Sequence, residues 1–158
     1  MSELRFKREL LQPLQTVWSA WTEPDLLTEW LALEARVTPQ KNGRYHLEID
    51  YEENHSTKGC KVVRWDPPTD PSSSKASLGF TWKGPADFDV VINFDDQLTT
   101  VFLDLTSTPD SNQTVLHLTH EGWRSSEDWQ EAREWHAKWW SSILDQLQSF
   151  LEHKINTQ

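Results

Sequence analysis

Apolar residues recur along this chain first with a period of two, then at helical spacing, then with a period of two again, and finally at helical spacing over a long stretch. Leu4, Phe6, Arg8 and Leu10 share one face of residues 3–10, against Glu3, Arg5, Lys7 and Glu9 on the other. That alternation predicts a half-buried strand with Arg8 as a polar intruder on its apolar side. Pro13 suits the first turn of a short helix carrying Val17, Trp18, Ala20 and Trp21, which has to stop before Pro24. A second short helix carries Leu26, Leu27, Trp30 and Leu31, with Thr22 as its expected N-cap and Asp25 three residues on.

From Leu33 to Glu121 the pattern is that of strands divided by turn chemistry, beginning with a hairpin turn at Gln40-Lys41-Asn42-Gly43. Beyond it Tyr45, Leu47, Ile49 and Tyr51 alternate with Arg44, His46, Glu48 and Asp50, so this sheet has one wet face. Residues 57–65 predict the next strand, and 66–74, with three prolines and nothing to bury, an exposed loop. Leu78, Phe80 and Trp82 then share a face, as do Val101, Leu103 and Leu105, and later Leu116, Leu118 and His120. His120 is the second polar intruder. Residues 84–97, where Asp87, Asp89, Asp95 and Asp96 flank Val90, Val91, Ile92 and Phe94, read as a loop with one short strand at most.

The last segment is a helix capped by Ser125 or Ser126, its stripe formed by Trp129, Ala132, Trp135, Trp139, Ile143, Leu147 and Phe150. Trp140, Leu144 and Leu151 lie alongside, and His136 falls one position off the stripe, at the solvent boundary. Residues 126–153 would extend about 40 Å, enough to cross a whole sheet. A strand, two short helices, an antiparallel meander and a long terminal helix make an α+β arrangement in which a curved sheet wraps one helix.

Composition narrows the chemistry. A chain of 158 residues, 36% hydrophobic and with ten tryptophans, is expected to fold as one domain over residues 1–158. A mean hydropathy of -0.71, no apolar run of about 20 residues and a polar start at Met1-Ser2-Glu3-Leu4-Arg5 predict a cytoplasmic protein without membrane insertion. The net charge of -10 argues against nucleic acid, since the basic residues (Arg5, Lys7 and Arg8; Lys41 and Arg44; Arg133 and Lys138) form no stripe in the sequence. Cys60, the one cysteine, can form neither an internal disulfide nor a thiolate cage. His117 and His120 point to opposite faces of a strand, and the residues that would complete a zincin motif after His120-Glu121 are Arg124 and Ser125, so no metal site is expected. Gly-x-Ser-x-Gly is absent, and glycines 43, 59, 79, 84 and 122 lie far apart in sequence, so neither a nucleophile elbow nor a nucleotide cofactor is expected. The sequons Asn54-His55-Ser56 and Asn112-Gln113-Thr114 read as turns.

Particular residues resemble a known family: Arg8-Glu9-Leu10-Leu11-Gln12-Pro13, then Val17-Trp18-Ser19-Ala20-Trp21-Thr22-Glu23-Pro24-Asp25-Leu26-Leu27 with Trp30, are similar to the START-like SRPBCC superfamily and its helix-grip fold. Leu118-Thr119-His120-Glu121-Gly122-Trp123 and the run from His136 to Leu147 resemble the branch named for activators of the heat-shock-protein-90 ATPase. The resemblance implies a cavity between the concave sheet face and the long helix, used across the superfamily for lipids, sterols, polyketides and other apolar molecules. The residues expected to line it are Trp30, then Tyr45, Leu47, Phe80, Trp82 and Leu103 from the strands, Trp123, and Trp139 and Ile143 from the helix. Arg8, His120 and His136 supply the polar groups, with internal pairing weighed above ligand anchoring for Arg8 and His120. Where the family often has Gly-Trp, this chain has Trp139-Trp140, so Trp139 is expected to narrow the cavity.

The leading expectation is a non-enzymatic binding domain for a small hydrophobic or aromatic molecule, with no cofactor and no catalytic residue. The alternative is a protein-interaction module acting on a chaperone, ranked second because the eukaryotic relatives carry an additional N-terminal domain. An enzyme is the third, with only His120 and Glu121 to nominate as acid and base.

Overall fold

A computed structural model describes residues 3–110 and 112–156; Met1 and Ser2, from the polar start noted above, lie outside the described residues. The chain runs β1 (Leu4–Leu10), α1 (Leu14–Thr22), α2 (Pro24–Trp30), β2 (Glu34–Val37), β3 (Tyr45–Glu48), β4 (Val62–Asp66), β5 (Lys75–Trp82), β6 (Thr99–Ser107), β7 (Thr114–Glu121) and α3 (Glu127–Asn156). Five strands form one antiparallel sheet in the order β1-β7-β6-β5-β4, and β2 pairs with β3 in a hairpin beside it. This is the helix-grip arrangement, with a long C-terminal helix against a curved sheet.

Register explains the core. Leu4 stands opposite His120, His120 opposite Val101, Val101 opposite Phe80, and Phe80 opposite Val62. The next inward row runs Phe6, Leu118, Leu103, Leu78 and Trp65. Since side chains alternate faces along each strand, these rows stack into one apolar surface, and α3 covers it.

Several expectations need correction. Thr22 does not cap α2: its hydroxyl donates to the Trp18 carbonyl at 2.8 Å, inside α1, while Pro24 opens α2 behind Glu23, which makes no side-chain cap bond. Proline preset for a helical turn makes that start without a cap. β3 ends at Glu48, because the Asp50 carboxylate accepts the Tyr51 N–H and starts a single 3-10 turn, leaving Tyr51 74% exposed. The strand expected over 57–65 begins only at Val62, since Gly59 at φ +92° turns the chain first. Residues 84–97 do form a loop, without the short strand; a 3-10 turn at Ala86–Phe88 leads to Ile92, which is fully buried, and the Asn93 side chain binds both N–H and carbonyl of Gly84 in place of a ladder. At the start of α3 the Ser126 carbonyl accepts the Gln130 N–H, but its hydroxyl donates to Asp128 rather than capping an N–H.

The phase of α3 is the largest correction. Its buried seam is Trp129, Ala132, His136, Trp140, Ile143, Leu144, Leu147 and Leu151, while Trp135, Trp139 and Phe150 sit half-buried on the flank. Trp129, Ala132, Ile143 and Leu147 of the expected stripe do lie in the seam, but one step along the sequence turns a helix by about 100°, so its middle is carried by His136 and Trp140 instead of Trp135 and Trp139. His136 is no boundary residue; it is fully buried.

Candidate functional site

Two imidazoles and two indoles meet where β5 and β7 pass under α3. Trp82 on β5 donates its Nε1–H to Nε2 of His136 on α3 at 3.0 Å, and Trp140 on α3 donates its Nε1–H to Nδ1 of His120 on β7 at 3.0 Å. The sheet's indole thus reaches the helix's imidazole, and the helix's indole the sheet's. Each imidazole, accepting at one nitrogen, must be neutral and carry its proton on the other. His136 therefore donates from Nδ1 to the Ala132 carbonyl one turn back at 2.8 Å, and His120 from Nε2 to the Thr99 hydroxyl at 2.8 Å.

Around this pair of bridges the rings close ranks. The His120 and His136 rings are 5.4 Å apart and those of Trp82 and Trp140 5.2 Å. Trp123 lies 4.6 Å from His120 and donates its Nε1–H to the His120 carbonyl at 3.0 Å. Tyr45 stacks on Phe80 at 4.0 Å and donates its hydroxyl to the Trp21 carbonyl. Burial drives the electrostatics: it holds His120 well below its ordinary range, with His136 adding to the effect, and lowers His136 to about 3. It raises the Tyr45 hydroxyl far above its usual value and lifts the Cys60 thiol to about 11, so that thiol stays protonated.

The expected residues are distributed as follows. Tyr45, Phe80, Trp82, His120, Trp123 and His136 come together in ring contact, and Leu47, Leu103 and Ile143 belong to the same buried core. Trp30 packs on Trp21 at 4.9 Å and donates to the Ala20 carbonyl at 2.9 Å. Arg8 joins none of them; it reaches the Asp145 carboxylate of α3 at 3.7 Å. Trp139 lies at the margin, 5.5 Å from Trp82 and stacked on Trp135, so the indole occupying the centre of the grip is Trp140. His120 and Glu121 form no acid-base pair, because Glu121 points from the opposite, exposed face and both nitrogens of His120 are engaged.

Sequence reasoning missed His55, hidden in a sequon read as a turn. It is buried, hydrogen-bonds the Lys83 carbonyl at 3.1 Å, lies 5.2 Å from Trp139, and is lowered by burial to about 4. Among the described residues, one buried side-chain donor, Trp21 Nε1, has no hydrogen-bond partner. A surface depression lined by Glu29, Trp30, Gln146, Ser149, Phe150 and His153 takes in Trp30, a residue of the expected cavity. No helix among the described residues is long and apolar enough to cross a membrane.

The fold has solved counterparts. A protein from Mesorhizobium loti superposes with a TM-score of 0.72 at 22% identity, over 96% of this chain and 98% of that one. An HSP90 activator from Plasmodium falciparum gives 0.70 at 18% identity, over 96% and 97%. The Aha1 dimer from Colwellia psychrerythraea gives 0.70 at 16%, over 96% and 97%. Among curated proteins none matches significantly. The family model for Activator of Hsp90 ATPase homolog 1-like protein matches residues 12–152, the segment that carries α1, both bridging histidines and nearly all of α3, and the chain belongs to that family.

Proposed function

We propose that this chain acts through its outer surface as a protein-binding module of the Hsp90-activator type, rather than by enclosing a ligand between sheet and helix. The observation that carries this is the filled grip: Trp82, Trp140, His120 and His136 occupy the interior with their polar atoms already paired to one another or to Ala132 and Thr99. A ligand there would have to displace indoles that each bury roughly 150 to 250 Å² and would orphan two buried imidazoles. Size no longer counts against the chaperone reading, since the Plasmodium falciparum HSP90 activator is matched over 97% of its solved chain.

The test is steady-state ATP turnover by the Hsp90 of the same organism as the chain is added. A saturable rise in turnover is expected. Unchanged turnover with the chain in excess overturns the proposal, and saturable quenching of tryptophan fluorescence by a fatty acid, flavonoid or sterol would return the function to the interior.

A further inference from the structure

We propose that the groove beside the β2–β3 hairpin binds a compact oxyanion carrying two or more negative charges, of the phosphate or polycarboxylate kind. The groove holds about 570 Å³ and is lined by Arg44 on the hairpin and by Lys58 and Lys61 on the segment leading into β4, with the Gln40 and Asn42 amides beside them. No carboxylate lines it, in a chain with 25 acidic residues against 15 basic ones. Lys58 and Lys61 are three positions apart, and the fold brings Arg44, fourteen positions before Lys58, to the same wall.

The gathering sets like charges face to face. Arg44 and Lys61 stand directly opposite one another in an antiparallel bridge. The Val62 N–H donates to the Gly43 carbonyl at 2.8 Å and the Tyr45 N–H to the Cys60 carbonyl at 3.0 Å, flanking the pair on both sides. That is the non-hydrogen-bonded site of an antiparallel ladder, where facing side chains stand closest and like charges repel. Among the described residues the ion pairs use Arg5, Arg8, His46 and Lys83, and none reaches Arg44, Lys58 or Lys61. Nearby acids are committed elsewhere: Glu48 to His46 at 2.6 Å and Ser56 at 2.8 Å, and Asp95 to Lys83 at 3.0 Å.

The site is also held in place. Lys83 donates to the Lys58 carbonyl at 2.8 Å, and Gly59 at φ +92° sets the turn that presents Lys58 beside Lys61. A multivalent oxyanion relieves the Arg44–Lys61 repulsion, takes the planar fork of Arg44 in bidentate fashion and accepts from the lysines and amides. Two charges on the ligand are needed, because one would leave two of the three cations facing each other unneutralised.

The probe is pyrophosphate, titrated at constant ionic strength into the full 15N-labelled chain, with citrate in parallel to separate phosphate from carboxylate. Saturable shifts confined to the amides of residues 38–46 and 58–61 are expected, with binding roughly tenfold weaker in Arg44→Gln and in Lys61→Gln. Both variants should unfold at the same temperature as the parent or higher, since each removes a repulsion, and pyrophosphate should raise the melting temperature of the parent more than theirs. Binding of either anion in this pattern supports the site. Shifts that fail to saturate, that appear equally around Arg5, Lys7 and Arg133, or that persist unchanged in both variants overturn it.

Discussion

The space under α3 and the groove beside the β2–β3 hairpin treat polar atoms in opposite ways. Under α3 every nitrogen of His120 and His136 has a partner inside the protein, and the indoles that supply two of those partners also fill the volume. In the groove, Arg44, Lys58 and Lys61 converge without a carboxylate among the described residues. Buried polar groups are tolerated when they are hydrogen-bonded, whereas exposed charges are held by water and stay open to a ligand. The first region is organised for folding and the second for recognition, which is why the helix-grip interior, the place the superfamily resemblance favours, is the poorer candidate here.

The contrast is broken most forcefully from the inside. Trp140→Ala removes the central indole and leaves Nδ1 of His120 unsatisfied, and should cost about 4–5 kcal/mol in urea unfolding, toward the top of the range for aromatic core truncations. A loss below about 2 kcal/mol would mean that the grip is loosely packed. Acid comes next. His55, His120 and His136 are all held below the ordinary histidine value by burial, to about 4 and about 3 for His55 and His136. Between those values and about 6.5 the unfolded chain binds protons that the folded chain refuses, so stability is complete above about pH 6.5 and falls as the pH drops below it. From pH 6.5 to 5 His55 and His136 should each cost about 1.5 kcal/mol, about 3 together, with His120 acting in the same direction and the declining self-repulsion of a chain at -10 opposing it. Denaturant titrations at the two pH values measure this.

Smaller changes sharpen the comparison. A methyl group at Gly84 would meet His136 Cε1 at 2.7 Å and Ile92 Cδ1 at 2.9 Å, so Gly84→Ala should destabilise by about 1–3 kcal/mol and perturb the His136 ring resonances. Arg8→Ala should cost under about 1 kcal/mol, because Asp145, its partner at 3.7 Å, is 71% exposed and the pair is screened. A large loss on calorimetry would give Arg8 a role inside the core.

Much of the fold is legible in the chain because period two and period 3.6 survive in it: β1, the Asn42-Gly43 turn, the inward rows of β5 to β7 and the long α3 all follow from spacing. What spacing could not supply was the phase of α3. Trp135 and Trp139 outweigh His136 on any hydrophobic scale, and His136 becomes a core residue only because Trp82, fifty-four positions away, gives its acceptor nitrogen a donor. His55 was hidden for the same reason, as its partner is the carbonyl of Lys83. The groove escaped because Arg44 lies fourteen positions before Lys58 and joins Lys58 and Lys61 only through the pairing of Arg44 with Lys61. Arg8 was the exception, since an arginine on an apolar strand face needs a carboxylate and finds Asp145.

The closed interior is tested most directly by the ring 15N spectrum of the histidines at pH 6 and below. His136 should carry its proton on Nδ1 with Nε2 as acceptor, His120 on Nε2 with Nδ1 as acceptor, and both patterns should persist unchanged to about pH 5. Either ring titrating near pH 6.5, or exchanging between tautomers, would show that the indoles do not hold the imidazoles and that the grip is open.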